Sequence, residues 1–277
     1  MMCRNLSVNR STFYAWQRRP VSKRQETDER ILPLIKESHK GSRETYGSLR
    51  VTKDLKDAGE TVGHNRVAKI MRKNNIIGRP KAKWIATTDS KHSMKVAPNL
   101  LNREFTVNTP DKAWVGDITY VWTYSGWVYL ATVIDLCGRR VIGWSIDTEM
   151  KTALVQEAFD MACAMRGAVK PGLIFHTDRG SQYTSDAFQK TLKLNGAKSS
   201  MSRKGNCWDN AVAESFFATI KRELLNRAAW LNKNAVRAAV YEYIEVFYNR
   251  KRRHSTNEYI SPVDYETLCN KNAAVAA

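Results

Sequence analysis

No run in this 277-residue sequence approaches the ~18 consecutive apolar residues of a membrane helix. The amino terminus, MMCRNLSVNRSTFYAW, has no apolar segment and no small-residue cleavage site of the secretory kind. Both absences lead us to expect a soluble intracellular protein. Cysteine is sparse: five residues, Cys3, Cys137, Cys163, Cys207 and Cys269, odd in number, widely spaced and without a C-x-x-C. That excludes a disulfide framework and a zinc knuckle. There is no G-x-x-x-x-G-K-[ST] loop, so ATP is not the expected energy source. No repeat of 20–50 residues, no low-complexity tract and no sustained heptad pattern occurs.

Acidic charge is the scarcer sign. The chain carries 45 Lys and Arg against 27 Asp and Glu, a net charge of +18. The excess is uneven: residues 1–103 hold 23 basic and 9 acidic residues, whereas the remainder holds 22 and 18. A basic first third is the electrostatic footprint of a polyanion-binding region. Residues 6–16, LSVNRSTFYAW, read as the second half of a helix-turn-helix, with Ser11 as N-cap and Phe13 and Trp16 packed inward. Residues 46–78 read as two helices around a turn. Leu49, Val51 and Leu55 mark the first helix, Gly59 and Gly63 the break, and Val67, Ile70 and Met71 the second. Arg66, Lys69, Arg72 and Lys73 fall on or near the second helix's polar face, the pattern of a DNA-reading helix. The expected division is a partial helix-turn-helix over 1–25, a helix-turn-helix DNA-binding domain over 26–80 and a linker over 81–103. A catalytic core over 104–230 and a C-terminal helical region over 231–277 follow.

From Glu104 the pattern changes. AWVGDITYVW alternates, with Trp114, Ile118, Tyr120 and Trp122 on one face and Asp117 and Thr119 on the other. GWVYLATVIDL and RRVIGWSI follow as two more strands. A helical KTALVQEAFDMACAM, a strand GLIFHTD, a helix from Ser185, a short strand AKSSMS and a helix AVAESFFATIKRELL complete the order β-β-β-α-β-α-β-α. The expectation is an α/β fold with a mixed sheet, antiparallel first and parallel later, flanked by helices. Asp178 ends the fourth strand, where such sheets carry active-site groups. Strands one and four should be neighbours, which brings Asp117 beside Asp178. Asp135 competes with Asp117; Asp117 is preferred because its neighbours leave its face less apolar. On the helix after Ala211, Phe216, Phe217, Ile220 and Leu224 form the apolar stripe, and Glu214 lies at its edge. Lys221 follows seven residues on, nearly on the same side and ~10 Å along the axis. Carboxylates of this kind are hard ligands suited to Mg²⁺ or Mn²⁺. A pair of such ions ~3.5–4 Å apart drives in-line phosphoryl displacement.

Asp178 and Glu214 are separated by 35 residues, which resembles the D(35)E signature of transposases and retroviral integrases. WVGDITY resembles the motif of the first aspartate, HTDRGSQY the second, and NAVAESFFATIKRE the glutamate motif with its basic residue two turns on. YNRKRRHSTNEYISP is similar to the C-terminal signature of OrfB-type transposases of the IS3 family. The segment around YGSLRVTKDL and VGHNRVAKIMRKNNI resembles that family's helix-turn-helix. This resemblance implies an RNase H-like core and cleavage at the ends of an insertion sequence, followed by 3′-OH strand transfer into target DNA. It implies Asp117, Asp178 and Glu214 as ligands of two Mg²⁺ ions, with Lys221 and, more weakly, Asn210 at the DNA. His176, two residues before Asp178, would either orient substrate or pack. The implied partners are the terminal inverted repeats, target DNA, further copies of the chain and an upstream-frame, OrfA-type product. The implied setting is the bacterial cytoplasm, at the nucleoid. The first helix-turn-helix is cut at Met1, so the chain reads as the downstream product of a frameshifted pair. The His/Cys zinc domain of retroviral integrases is missing. A DNA-binding regulator and a nuclease without joining activity are the competing functions.

Overall fold

The chain divides into two units, residues 1–79 and 80–277. The computed structural model describes residues 8–79, 96–167, 169–203 and 207–275. Among these residues no helix is long and apolar enough to cross a membrane.

The described residues of the first unit form the helices α1 Arg10–Gln17, α2 Lys23–Gly41, α3 Ser48–Asp57 and α4 His64–Lys73. Ser22 caps α2 through its hydroxyl and the Gln25 N–H. Gly59, at φ +87°, reverses the chain between α3 and α4 in a conformation that a side chain would strain. Ile31 and Ile35 of α2, Val51 and Leu55 of α3, and Val67, Ile70 and Met71 of α4 close one apolar cluster. Leu49 stays outside it, 57% exposed, because a residue two positions before Val51 lies about 200° around the helix. Helix α1 departs further from expectation. Asn9, not Ser11, accepts the capping N–H, and Phe13 and Trp16 are exposed. Their rings meet each other at 6.2 Å rather than a core, since α1 buries no residue.

The second unit is built on β1 Ala113–Thr123, β2 Gly126–Asp135, β3 Val141–Asp147, β4 Ile174–Thr177 and β5 Lys198–Met201. Their order in the sheet is β3-β2-β1-β4-β5. The first three strands are antiparallel neighbours, while β4 runs parallel to β1 and β5 parallel to β4. This is the RNase H-like arrangement. Helices α5 Thr152–Arg166, the single turn α6 Ser181–Thr184 and α7 Asp186–Leu194 cover one face. There Trp114, Val133, Phe159, Phe175 and Phe188 pack together. The other face is covered by α8 Ala211–Glu223, α9 Lys233–Tyr241 and a π-helical turn, Glu242–Tyr248. Val115, Val121, Phe216, Phe217, Ile220, Val236 and Tyr243 form its core. The last helix is α10 Pro262–Val275.

Residues 81–95 of the expected linker lie outside the described residues, and residues 96–103 are docked against β5. Leu100 and Leu101 donate to the Ser200 hydroxyl at 2.9 and 3.2 Å, and Leu101 is buried. The C-terminal helical region shares the core of the mixed sheet through Val236, Val240, Tyr243 and Phe247.

Candidate active site

Register builds the centre of the site. Strands β1 and β4 pair as Ala113–Ile174, Trp114–Phe175 and Val115–His176. The same offset carried two residues further sets Asp117 opposite Asp178, at the point where β4 gives way to a loop. Gly116 is required there by close approach: a Cβ on it would stand 2.8 Å from Cζ of Phe175. The Asp117 Oδ1 accepts the Ile118 N–H at 2.8 Å, and the Asp178 Oδ1 accepts the Gly180 N–H at 2.9 Å. Each carboxylate is therefore oriented by backbone rather than left to rotate. Arg179 turns away and donates to the Ser202 carbonyl at 2.6 Å, leaving the loop pinned to the strand beyond.

The electrostatics of the pair are unfavourable as they stand. Burial pushes the Asp117 carboxyl well above the usual carboxylate range, and repulsion from Asp178 adds to it. Glu214 contributes a smaller repulsion, and Lys221 offsets the least. Glu214 sits half-buried in the first turn of α8, and its own carboxyl is raised by burial. Among the described residues, no three acidic, His or Cys side chains are close enough to hold a metal ion together. Of the two neighbouring carboxylates, Asp178 contributes the larger repulsion at Asp117 and Glu214 the smaller. Oxygen donors held this way fit a hard divalent cation, whose charge removes both the burial penalty and the repulsion.

Several expected residues occupy different settings from those the sequence pointed to. Asp117 does not lie on a less apolar face: Val115 and Val121, on the same side of β1, are buried under α8. Asp135 is excluded from the site. It is fully buried, accepts the N–H groups of Cys137 and Asp111 and the Arg166 guanidinium, and its carboxyl is pushed up by burial to about 6. His176 packs rather than facing substrate. Its ring lies fully buried between the Ser200 and Ser202 hydroxyls, at 2.8 and 3.2 Å. Burial lowers its pKa to about 4, so it is neutral at pH 7. Asn210 is buried at the start of α8, and its Oδ1 has no hydrogen-bond partner, so it is not presented to a phosphate backbone. Arg66 is committed inside the first unit, donating to Asp28 at 2.6 Å and to the Arg24 carbonyl at 2.9 Å. Lys69, Arg72 and Lys73 remain exposed on α4. Lys221 is half-buried. It shares the field of Asp117, and its ammonium lies 4.6 Å from the centroid of the Tyr120 ring.

One residue escaped the sequence reading. Tyr183, five positions beyond Asp178, is fully buried; burial and the charges of Asp117 and Asp178 push its phenol far up, so it stays protonated beside the acids. The signal was present in HTDRGSQY, where the one-turn α6 returns the chain beneath the aspartates.

A mixed sheet of this order, with two aspartates meeting across β1 and β4 and a glutamate on the helix laid over them, defines a DDE-type polynucleotidyl transferase of the integrase-core class. Integrase core domain families match residues 107–207 and 195–262, and an HTH-like domain family matches residues 26–84. The chain is 40% identical over 99% of its length to the whole of the insertion element IS600 31 kDa protein of Shigella sonnei. It is 39% identical over 99% of its length to 94% of the transposase InsF for IS3A of Escherichia coli. To the IS904 transposase of Lactococcus lactis it is 41% identical, over 90% of this chain and 98% of that one. Among solved structures, a chain of the simian T-cell lymphotropic virus intasome is similar with a TM-score of 0.48 at 14% identity, over 84% of this chain and 74% of that one. The chain belongs to the IS3 family of insertion-sequence transposases.

Proposed function

We propose that this chain cuts phosphodiesters at the ends of an insertion sequence and joins the exposed 3′-OH to target DNA. Asp117, Asp178 and Glu214 would hold two Mg²⁺ ions, with Mn²⁺ as substitute. The observation that carries this reading is the Asp117–Asp178 pair, fixed by strand register and backbone N–H groups in a half-buried position that a monovalent surface role does not explain. Bound Mg²⁺ would supply Lewis acidity at the reacting phosphate and a charge that offsets the repulsion at Asp117. The chain's own residues do the rest. The Ile118 and Gly180 N–H groups hold the carboxylates in their ligating orientation. Tyr183 stays a neutral phenol beneath them and excludes water. Lys221 meets a phosphate flanking the reacting one. Asn210 acts through the start of α8 rather than by touching DNA. The chain works as a homo-oligomer on paired ends in the bacterial cytoplasm, with an upstream-frame product as the partner for end recognition.

The test is a labelled duplex carrying the element's terminal repeat, mixed with the full chain in Mg²⁺ or in chelator. New 3′-OH ends in Mg²⁺ alone, and joined products once a target plasmid is added, are the expected results. Binding without cutting would favour a regulator. Cutting with no joining of a pre-cut end would favour a nuclease.

Salt supplies a further check. Each Lys or Arg on a phosphate releases counterions, so the slope of log K against log salt scales with the number of contacts. Alanine at Lys69, Arg72 or Lys73 is expected to flatten that slope by ~1 each. Arg66→Ala is expected to leave it unchanged, because that guanidinium is held by Asp28. Filter binding across a salt series reads both.

A further inference from the structure

Beside the acidic pair the second unit carries a surface for which family membership gives no role. Strand β1 runs on past the end of β4, and its last residues, with the start of β2, present Tyr120, Trp122 and Trp127, 45%, 59% and 48% exposed. The Trp127 ring is met edge-on by Tyr120 at 5.2 Å and by Trp122 at 4.9 Å. Large aromatic rings at such exposure add little to the core and leave apolar faces in water. Sequence alternation placed Tyr120 and Trp122 with the buried Trp114. They are exposed where β1 runs on beyond its last pair with β4, Val115–His176.

These rings border a groove of about 440 Å³ whose opposite wall is the turn from Leu225 to Trp230. Both walls are fixed. Tyr124 donates its N–H to the Trp230 carbonyl at 2.9 Å, and the Trp230 indole donates to the Leu225 carbonyl at 2.8 Å. The groove is therefore preformed rather than a chance gap between mobile loops. Lys221 lines it and joins it to the acids: the same ammonium lies over the Tyr120 ring and in the field of Asp117.

An occupant must suit aromatic walls, a single cation at one end, and a start beside the carboxylates that handle the phosphodiester. A nucleotide unstacked from the duplex meets all three: its base offers a flat π-face to the rings and its phosphate an anion to Lys221. A wholly apolar partner would desolvate the Lys221 ammonium further without offering it an anion. We propose that this groove takes an unstacked base of the DNA strand whose neighbouring phosphate is presented to Asp117 and Asp178. The inference rests on the reading of the chain as a DNA-cutting enzyme. It adds that the enzyme opens the duplex at the cut and holds a displaced base.

The experiment uses the full chain, its Trp122→Ala, Trp127→Ala and matching Phe variants, and terminal-repeat duplexes of two kinds. One kind is fully paired; the other has its base pairs next to the cut mismatched. The alanine variants are expected to cut paired ends about ten-fold more slowly and to approach wild-type rates on the mismatched ends. The Phe variants, which keep a π-face, should lie close to wild type. A second readout does not need cutting. With 2-aminopurine beside the cut, the Asp178→Asn protein should change the probe's emission on binding, and the added Trp122→Ala or Trp127→Ala should abolish that change. Failure of the whole functional reading would appear as no cutting by the wild-type chain, whereas the probe signal reports on the groove alone. Equal loss on paired and mismatched ends, or a changed oligomeric state in the alanine variants, would overturn the proposal. The second result would assign the groove to another copy of the chain.

Discussion

Asp178→Asn is expected to lower both end cutting and strand transfer by at least about 10³-fold, the scale of losing a centre of charge stabilisation in a phosphoryl-transfer site, while end binding survives. The amide oxygen of asparagine can still accept the Gly180 N–H, so the loop after β4 keeps its shape and only the charge is removed. Asp117→Asn should have the same effect on chemistry and an additional one on stability. The folded state holds the Asp117 proton to higher pH than the unfolded chain does. Without a dication, wild-type stability therefore falls as pH rises from the ordinary carboxylate range through the raised folded value. Asp117→Asn removes that fall. In chelator the variant should melt higher than wild type at pH 8 and show a smaller difference at pH 5. Added Mg²⁺ should raise the wild-type melting temperature and leave that of the variant nearly unchanged. A variant as active as wild type in single-turnover cutting would remove that aspartate from the mechanism. The Glu214→Gln protein is expected to follow Asp178→Asn in activity, with a smaller gain in stability than Asp117→Asn, because burial alone raises its own carboxyl and it adds only a minor share to the repulsion at Asp117.

How much of this was legible in the sequence depended on what each residue answers to. Strand order was legible because period-2 alternation and short turns leave few topologies for three hairpin-linked strands followed by β-α-β units. The partnership of Asp117 and Asp178 followed from that order alone. Helix α8 was legible because its apolar stripe repeats every three to four residues, which also set Glu214 at the margin of the buried face. Exposure was less legible. Phe13 and Trp16 read as packed inward, and Tyr120 and Trp122 as part of the apolar face of β1, yet hydrophobic character does not say whether another element arrives to cover a residue. Polar commitments were the least legible. Arg66 and Asp28 are 38 residues apart, and His176 meets Ser200 on β5 and Ser202 just past its end. Such pairs are fixed by tertiary packing that no local period encodes. Asn210 illustrates the same limit: an amide at the head of a helix reads as exposed until the preceding 3₁₀ turn, Cys207–Asn210, tucks it in.

The C-terminal signature YNRKRRHST has a structural reading that leads to the second large effect. Arg252 is nearly fully buried, and its Nε and Nη2 donate to the two carboxylate oxygens of Glu223, each at 2.8 Å. The Tyr243 hydroxyl donates to the same carboxylate at 2.8 Å. Glu223 is the last residue of α8, the helix that carries Glu214 and Lys221, so Arg252 ties the C-terminal segment to the far end of the candidate catalytic helix. Arg252→Ala leaves a buried carboxylate with Tyr243 and, at 3.5 Å, Arg222, and is expected to cost about 3–5 kcal/mol of stability, read as a lowered urea midpoint at pH 7. Replacing the pair together, Glu223→Gln with Arg252→Met, should recover most of that loss, because the penalty comes from the unpaired charge rather than from the missing contact. The sign with pH is set by Glu223, whose folded-state pKa is held down by Arg252. The pair's contribution is present above the ordinary carboxylate range and is lost as pH falls through the lowered folded value. The gap between wild type and Arg252→Ala should therefore narrow on acidification. If Arg252 acts by holding α8, the double variant should also regain DNA cutting that the single variant loses. Recovery of stability without recovery of cutting would instead assign the Arg252 side chain a role at the DNA.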